Sequence, residues 1–210
     1  MNEITAITPQ IKDKRRCNVY VDGRFCCGML LETAVKNRLK VGQIITPDKL
    51  SLLQLESEKN TALDKALTHL SASRKTEKQI RDFLSKKGYL TAVCDYVVEK
   101  LKAYDFLNDE EYGKAYVDFT QKKKGEKLIR MELRQKGLSQ EAVDNALSTL
   151  NPQTQEETAK NILQKYFRGK ALTKENLMKA FRYLCGKGFD YDTVKSVLND
   201  FTDLDEGQME

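Results

Sequence analysis

One helical pattern occurs three times along the chain, and each copy is built around a glycine: Gly88, Gly137 and Gly188. A leucine stands four residues before each glycine, and an apolar residue stands eight residues before it. Apolar residues or a cysteine recur six, nine, ten and thirteen residues after each glycine. Steps of three and four residues place side chains on one face of an α-helix. Self-similarity of this kind constrains the whole fold, and it predicts tandem helical units.

Each glycine is predicted to end one helix, because a residue without a Cβ atom readily adopts a positive φ at a helix C-terminus. Suitable first residues for the next helix follow at Thr91, Ser139 and Asp190. Capping-box spacing marks further helix starts at Thr76 with Gln79, Asn108 with Glu111, and Thr154 with Glu157.

A further helix is predicted before each of these pairs, so that one unit has three helices and roughly 45 to 50 residues. The predicted inward-facing residues of this helix are Leu63, Leu67 and Leu70 in the first copy, Tyr112, Tyr116 and Phe119 in the second, and Ile162, Leu163, Tyr166 and Phe167 in the third.

The N-terminal segment has a different pattern. Asp22-Gly23 lies between β-prone residues, which is a strong signal for a hairpin. The stretch EITAITPQIK is a candidate third strand, LLETAVKNRL a candidate short helix, and Pro47 suits the first turn of another helix.

The predicted fold is mainly α: three tandem three-helix repeats in an elongated curved array, with a small N-terminal cap that contains a β-hairpin. The expected divisions are an N-terminal extension (1–60), three repeats (61–106, 107–152 and 153–203) and an acidic tail (204–210).

No pattern in the sequence indicates a catalytic or cofactor site. His69 is the one histidine, and the five cysteines form no Cys-x-x-Cys pair, so a zinc site or a cysteine nucleophile is not expected. The acidic run from Asn108 to Glu111 fits a helix N-terminus better than a metal site. No membrane span or signal peptide is expected, and a monomer in the cytoplasm is the predicted state.

Positive charge is concentrated locally, although the net charge is only +5. On a helix, Lys127, Arg130 and Arg134 share one face while Ile129 and Leu133 turn inward. Such a stripe is either a solvated helix face or a contact surface for an anionic partner, which could be an acidic protein or a phosphate backbone. The candidate partner-binding residues are Lys122, Lys123, Lys124, Lys127, Arg130, Arg134 and Lys136, with Arg81, Lys86 and Lys87 as the counterpart in the first copy.

Three ordered segments resemble the RecX family, bacterial regulators of the RecA recombinase. The segments are FLNDEEYGKAYVDFTQKKKGEKLIRMELRQKGLSQEAVDNAL, ALTHLSASRKTEKQIRDFLSKKGY and FRYLCGKGFDYDTVKSVL. The resemblance implies a non-enzymatic modulator without cofactors that binds along the groove of the RecA filament on single-stranded DNA. It also implies dampened ATP hydrolysis, strand exchange and co-protease activity, and it assigns the ten basic residues above to the partner-binding surface. The third copy departs from the family pattern at Cys185-Gly186-Lys187.

Two other functions are consistent with the same residues. The basic stripe would also suit a protein of tandem helical units that binds single-stranded nucleic acid directly, although no aromatic side chains are interleaved in it. A generic helical-repeat scaffold for an unrelated partner is the third hypothesis.

Overall fold

The computed structural model of the chain describes residues 2–11 and 13–206, with side chains described through residue 202. By its internal contacts the chain divides into two units. The first unit comprises the residues up to Lys75 together with Ile80–Leu107. The second unit comprises Thr76–Gln79 and the residues from Asn108 onward.

The first unit begins with a three-stranded antiparallel sheet in the order β1 (Ile4–Pro9), β2 (Arg16–Val21) and β3 (Arg24–Leu30). Between β2 and β3, Asp22 and Gly23 both have positive φ, of 48° and 78°. Two successive residues in that region form the hairpin turn whose twist matches that of the flanking strands. The predicted hairpin and third strand are therefore confirmed.

The first unit also contains α1 (Leu31–Lys36), α2 (Pro47–Ala72), the part of α3 (Glu77–Lys86) from Ile80 onward, and α4 (Thr91–Ala103). The N-terminus of α2 is capped by Thr46, whose side chain accepts a hydrogen bond from the Lys49 amide. Leu50 and Leu53 of α2 belong to the core beneath the sheet, whereas Ala62 and Ala66 belong to the core of the first repeat. Helix α2 thus contributes to both cores. It continues across residue 60, the predicted boundary between the N-terminal extension and the first repeat.

The second unit contains α5 (Asp109–Thr120), α6 (Glu126–Gln135), α7 (Gln140–Leu147), α8 (Pro152–Phe167), α9 (Lys174–Gly186) and α10 (Tyr191–Glu206). These helices form two hydrophobic cores, one for each repeat. The predicted inward residues of α6 and α7, such as Ile129, Leu133 and Val143, are fully buried. Of the predicted acidic tail, residues 207–210 lie outside the described residues.

All three anchor glycines have positive φ, at 85°, 94° and 93° in chain order. The prediction that they end helices is confirmed, since each one follows α3, α6 or α9 within two residues. None of the helices in the described ranges is both long and apolar enough to cross a lipid bilayer.

Most of the predicted caps are present. The side chain of Ser139 accepts a hydrogen bond from the Ala142 amide, and that of Asp190 accepts one from the Thr193 amide. Thr76 and Gln79 form a reciprocal capping box, in which each side chain accepts a hydrogen bond from the backbone amide of the other residue.

One predicted helix start was wrong, and another, at Thr91, is correct but has no side-chain cap. Helix α8 begins at Pro152, not at Thr154, because a proline is preorganised for the first helical position. Its cap is Asn151, whose side chain accepts a hydrogen bond from the Gln153 amide. Helix α4 is preceded by Leu90, which makes no side-chain cap, and Thr91 is already the first helical residue.

The predicted inward face of α5 was correct for Tyr112 and Tyr116, which pack half-buried against the core of the second repeat, but wrong for Phe119. Phe119 is 73% exposed, and the buried residues of α5 are Gly113, Val117 and Thr120. A Cβ atom at Gly113 would lie 2.9 Å from the Ala146 Cβ atom, so the glycine allows α5 and α7 to approach closely. The buried face therefore includes a residue without a side chain, and hydrophobicity alone does not reveal such a residue.

Two equivalent hydrogen bonds connect successive copies of the repeat, and all four residues involved belong to the second unit. The Thr76 hydroxyl donates a hydrogen bond of 2.6 Å to the Lys136 carbonyl, and the Gly125 amide donates one of 2.9 Å to the Lys187 carbonyl. Each donor lies twelve residues before the glycine of its own copy, and each acceptor lies directly before the glycine of the next copy. The repeated sequence thus produces a repeated contact.

Candidate partner-binding surface

Helix α6 presents its basic side chains to solvent because its apolar residues, Ile129 and Leu133, are fully buried. Lys127 and Arg134 are exposed, and Arg130 is half-buried. With Met131 and Gln135 they line an open surface groove of about 400 Å³. The predicted division of α6 into a buried apolar face and a basic outer face is confirmed.

Arg130 is held by carboxylates of its own repeat. It donates to Glu126 at 2.8 Å and also to Asp144 on α7. Hydrogen bonds from Gln140 and Arg130 lower the pKa of the Asp144 carboxyl. Arg134 is not paired with a carboxylate in this way, and its guanidinium donates to the side-chain oxygen of Gln140.

The same ion pair occurs in the first repeat, where Arg81 lies 2.5 Å from Asp95. In both repeats the arginine is seven residues before the anchor glycine and the aspartate is seven residues after it. The third repeat has Phe181 and Lys195 at these positions. Arg81 and Arg130 therefore each link two helices of their own repeat. This role was not predicted, although the matched spacing of arginine and aspartate around the glycine indicates it.

Lys124 and Lys136 belong to a half-buried polar cluster. The Lys124 ammonium lies 2.5 and 2.7 Å from the two oxygens of Glu132, and the Tyr116 hydroxyl donates to Glu132 at 2.7 Å. Lys136 lies over the Tyr116 ring, at 5.1 Å from its centroid. This cluster holds Lys124, which follows α5, against α6.

Glu132 and Tyr116 in this cluster have shifted pKa values. Burial alone would raise the pKa of Glu132, but hydrogen bonds from Lys124 and Tyr116 outweigh it and lower that pKa. Burial and the hydrogen bond to Glu132 raise the pKa of Tyr116. Glu132 is therefore ionised and Tyr116 neutral at neutral pH.

Six predicted residues remain exposed without a carboxylate within 4 Å among the residues that the structure describes: Lys86, Lys87, Lys122, Lys123, Lys127 and Arg134. Lys87 and Lys123 lie over the rings of Phe83 and Phe119, at 5.8 and 5.0 Å. The structure thus separates the predicted stripe into side chains that stabilise a repeat and side chains that face solvent.

The part of the chain with described side chains contains no group of three or more histidine, cysteine, aspartate or glutamate residues that could hold a metal ion. His69 stacks on Phe83, with 4.2 Å between ring centroids and 7° between ring planes. The chemistry of the surface is therefore that of exposed cations, suited to an anionic partner.

Family models match the N-terminal segment and each of the three repeats. The RecX N-terminal domain model matches residues 2–46, and the models of the first, second and third RecX three-helix domains match residues 62–101, 108–147 and 153–198. The chain belongs to the RecX family. Each three-helix domain model of RecX falls on one repeat, so the predicted fold class and family are confirmed.

Relatives of similar length support the same family. The chain is 30% identical to the regulatory protein RecX of Clostridium tetani over 95% of this chain and 94% of the relative. It is 31% identical to that of Clostridium perfringens strain 13 over 96% of this chain and 97% of the relative.

Solved structures of RecX proteins share the fold. The crystal structure of a regulatory protein RecX matches with a TM-score of 0.71 and 26% identity, covering 95% of this chain and all of the other. The structure of RecX from Lactobacillus salivarius matches with a TM-score of 0.62 and 24% identity over 68% of this chain and 96% of the other, which supports the fold alone.

Proposed function

We propose that this RecX-family chain is a cytoplasmic, monomeric regulator of the RecA recombinase that performs no catalysis of its own. It binds along the groove of the RecA filament on single-stranded DNA and dampens ATP hydrolysis, strand exchange and co-protease activity. The observation that carries the proposal is the assignment of all four RecX domains along one chain, in order.

Tandem repeats suit a polymeric partner. A filament presents identical protomers at regular intervals, and a chain with three related units offers several related surfaces. When one unit is bound, the next binds at a high effective concentration, so individually weak contacts add to a strong one. Such binding changes the activity of the filament only if the contacts differ between its active and inactive arrangements.

The exposed lysines of the second repeat are the best candidates for these contacts. Lys122, Lys123 and Lys127 are exposed and have no carboxylate partner among the described residues, so an anionic surface can pair with them without breaking an internal bond. Arg130 is a poorer candidate, because a partner would have to compete with Glu126 and Asp144.

The test is RecA-dependent ATP hydrolysis on single-stranded DNA, measured with increasing amounts of this protein. We expect the wild type to lower the turnover and the triple variant Lys122→Glu, Lys123→Glu, Lys127→Glu to be about 3- to 150-fold weaker as an inhibitor, because each lost contact contributes about 0.2 to 1 kcal/mol. Unchanged turnover with saturating wild-type protein that co-sediments with the filament would refute the proposed regulation.

A control variant separates specific contacts from net charge. Lys49, Lys114 and Lys195 are also exposed, so changing all three to glutamate alters the net charge by the same amount elsewhere on the chain. We expect this control to inhibit RecA nearly as well as the wild type. Equal losses in both variants would mean that net charge, and not the proposed surface, determines inhibition.

A further inference from the structure

The third repeat contains a long segment of net positive charge. Residues 161–189 include seven lysine or arginine residues and one acidic residue, a net charge of +6, whereas the whole chain has a net charge of +5. Within this segment, Lys179 is paired with Glu175 at 2.7 Å. The other six cations have no ion-pair partner among the side chains that the structure describes. This charge is therefore available to a partner.

Two tyrosines lie within this positive surface. Tyr166 on α8 stacks against Tyr183 on α9, with 5.2 Å between ring centroids and 30° between ring planes. The Lys170 ammonium lies 3.6 Å from the centroid of Tyr166, and the Lys187 ammonium lies 5.3 Å from the centroid of Tyr183. We call these four residues the tyrosine–lysine surface.

In the other two repeats the lysine directly before the anchor glycine also lies over an aromatic ring, Lys87 over Phe83 and Lys136 over Tyr116, but these rings are half-buried. Five residues before the anchor glycine, where the third repeat has Tyr183, the second repeat has Glu132 and the first has Phe83. Glu132 is engaged by Lys124, and Phe83 is stacked on His69. Tyr183, by contrast, is 41% exposed.

We propose that the tyrosine–lysine surface binds single-stranded nucleic acid by stacking a base on Tyr183 and pairing the backbone phosphates with Lys170 and Lys187. Stacking on aromatic side chains within a positive surface is how proteins hold single strands without sequence preference. This inference goes beyond the proposed regulation of the recombinase, because the chain itself would contact nucleic acid.

The lysines over the rings do not prevent such binding. A cation over an exposed ring contributes less free energy than a base stacked on the same ring. A base can therefore replace the lysine, and the flexible lysine side chain can move to the adjacent phosphate. The ring and the charge then act on the same nucleotide.

The tyrosines favour a single strand over other polyanions. In a duplex the base faces are already stacked on one another, so only the phosphates would be contacted. An acidic protein would pair with the lysines and leave the tyrosine rings unused. A flexible strand with accessible base faces uses both parts of the surface.

The test is fluorescence anisotropy with a labelled 20-nucleotide oligothymidine and the full chain, without recombinase, at several salt concentrations. We expect Tyr183→Ala to weaken binding about 5- to 150-fold, and Tyr183→Phe, which keeps the ring, to bind like the wild type. Replacing Lys170 and Lys187 with alanine should lower the slope of log affinity against log salt by about 1.4.

Tyr104→Ala is the matched control, since Tyr104 is 63% exposed in the first repeat and should not affect binding. Equal affinity for a duplex of the same length, or an unaffected Tyr183→Ala variant, would overturn the inference. So would a Tyr183→Ala variant that loses recombinase inhibition but keeps its affinity for oligothymidine, which would indicate a protein contact. Because recombinase is absent from the binding assay, failure of the proposed regulation would not alter this result.

Discussion

At the scale of single residues, the basic side chains of the second repeat have different roles despite their similar chemistry. Arg130 is held by Glu126 and Asp144, and Lys124 is held by Glu132. Lys127, on the same helix as Arg130, faces solvent. Two of these three cations therefore stabilise the repeat, and their charge is only partly available to a partner.

The Glu132 cluster predicts a pH dependence of stability. Because the pKa of Glu132 is lowered from 4.5 in the folded chain, its contribution to stability is complete above that ordinary value and is lost as the pH falls through the lower folded-state pKa. We expect Glu132→Gln to be about 1 to 2 kcal/mol less stable than the wild type at neutral pH, with the difference shrinking in acid.

Chemical denaturation followed by circular dichroism at neutral and acidic pH measures this difference. Glu99→Gln is the control, since Glu99 is an exposed carboxylate on α4. A constant difference between the wild type and Glu132→Gln across the acidic range would show that the charge of Glu132 does not stabilise the fold.

At the scale of helices and their connections, the anchor glycines differ in how closely they are packed. Gly88 and Gly137 both have a positive φ. A Cβ atom added to Gly88 would contact nothing within 4 Å, whereas one added to Gly137 would lie 2.4 Å from the Lys78 Cβ atom. Gly188 is as closely packed, against Leu128. In the first repeat the glycine is therefore needed only for its positive φ. In the other two repeats it also leaves room for a neighbouring residue.

We expect both Gly88→Ala and Gly137→Ala to destabilise the chain, because alanine in the left-handed region costs about 1 to 2 kcal/mol. Gly137→Ala should cost about 1 to 3 kcal/mol more, since the added methyl group would overlap the Lys78 side chain. Each free energy of unfolding can be measured by urea denaturation. Equal losses in the two variants would contradict the close contact with Lys78.

At the scale of the whole molecule, the net charge of +5 conceals a strongly uneven distribution. The segment from 161 to 189 alone exceeds that value, so the rest of the chain is close to neutral or acidic. The positive charge of the second and third repeats is therefore local. Local charge, not the total, determines which surfaces attract an anionic partner.

The N-terminal sheet also has a role at this scale, because α2 contributes to two cores of the first unit. Deleting residues 1–46 would expose Leu50 and Leu53, which are buried beneath the sheet. We expect the shortened chain to remain helical but to bind a hydrophobic dye and to self-associate, as proteins with exposed apolar patches do.

Dye fluorescence and light scattering on the shortened chain measure this effect. Changing Leu50 and Leu53 to glutamine in the shortened chain should reduce both signals, since it removes the exposed apolar surface. A shortened chain that stays monomeric and does not bind the dye would show that the N-terminal sheet is not needed to cover α2.

The periodic spacing of apolar residues was sufficient to predict the helices, their threefold repetition and the buried faces of α6 and α7, because side chains three and four residues apart lie on one side of a helix. Asp22-Gly23 was sufficient for the hairpin, because few residue pairs adopt that turn. The outward position of Lys127 and Arg134 on α6 followed from the same periodicity.

Contacts between helices could be known only from the tertiary structure. The pairing of Arg130 with Asp144, the stacking of Tyr166 on Tyr183 and the burial of Gly113 in place of Phe119 each depend on how two helices are placed against each other. Spacing along one helix determines which side chains share a face. It does not determine which side chain of a neighbouring helix they meet, because that depends on crossing angles and distances set by the packing of the whole core.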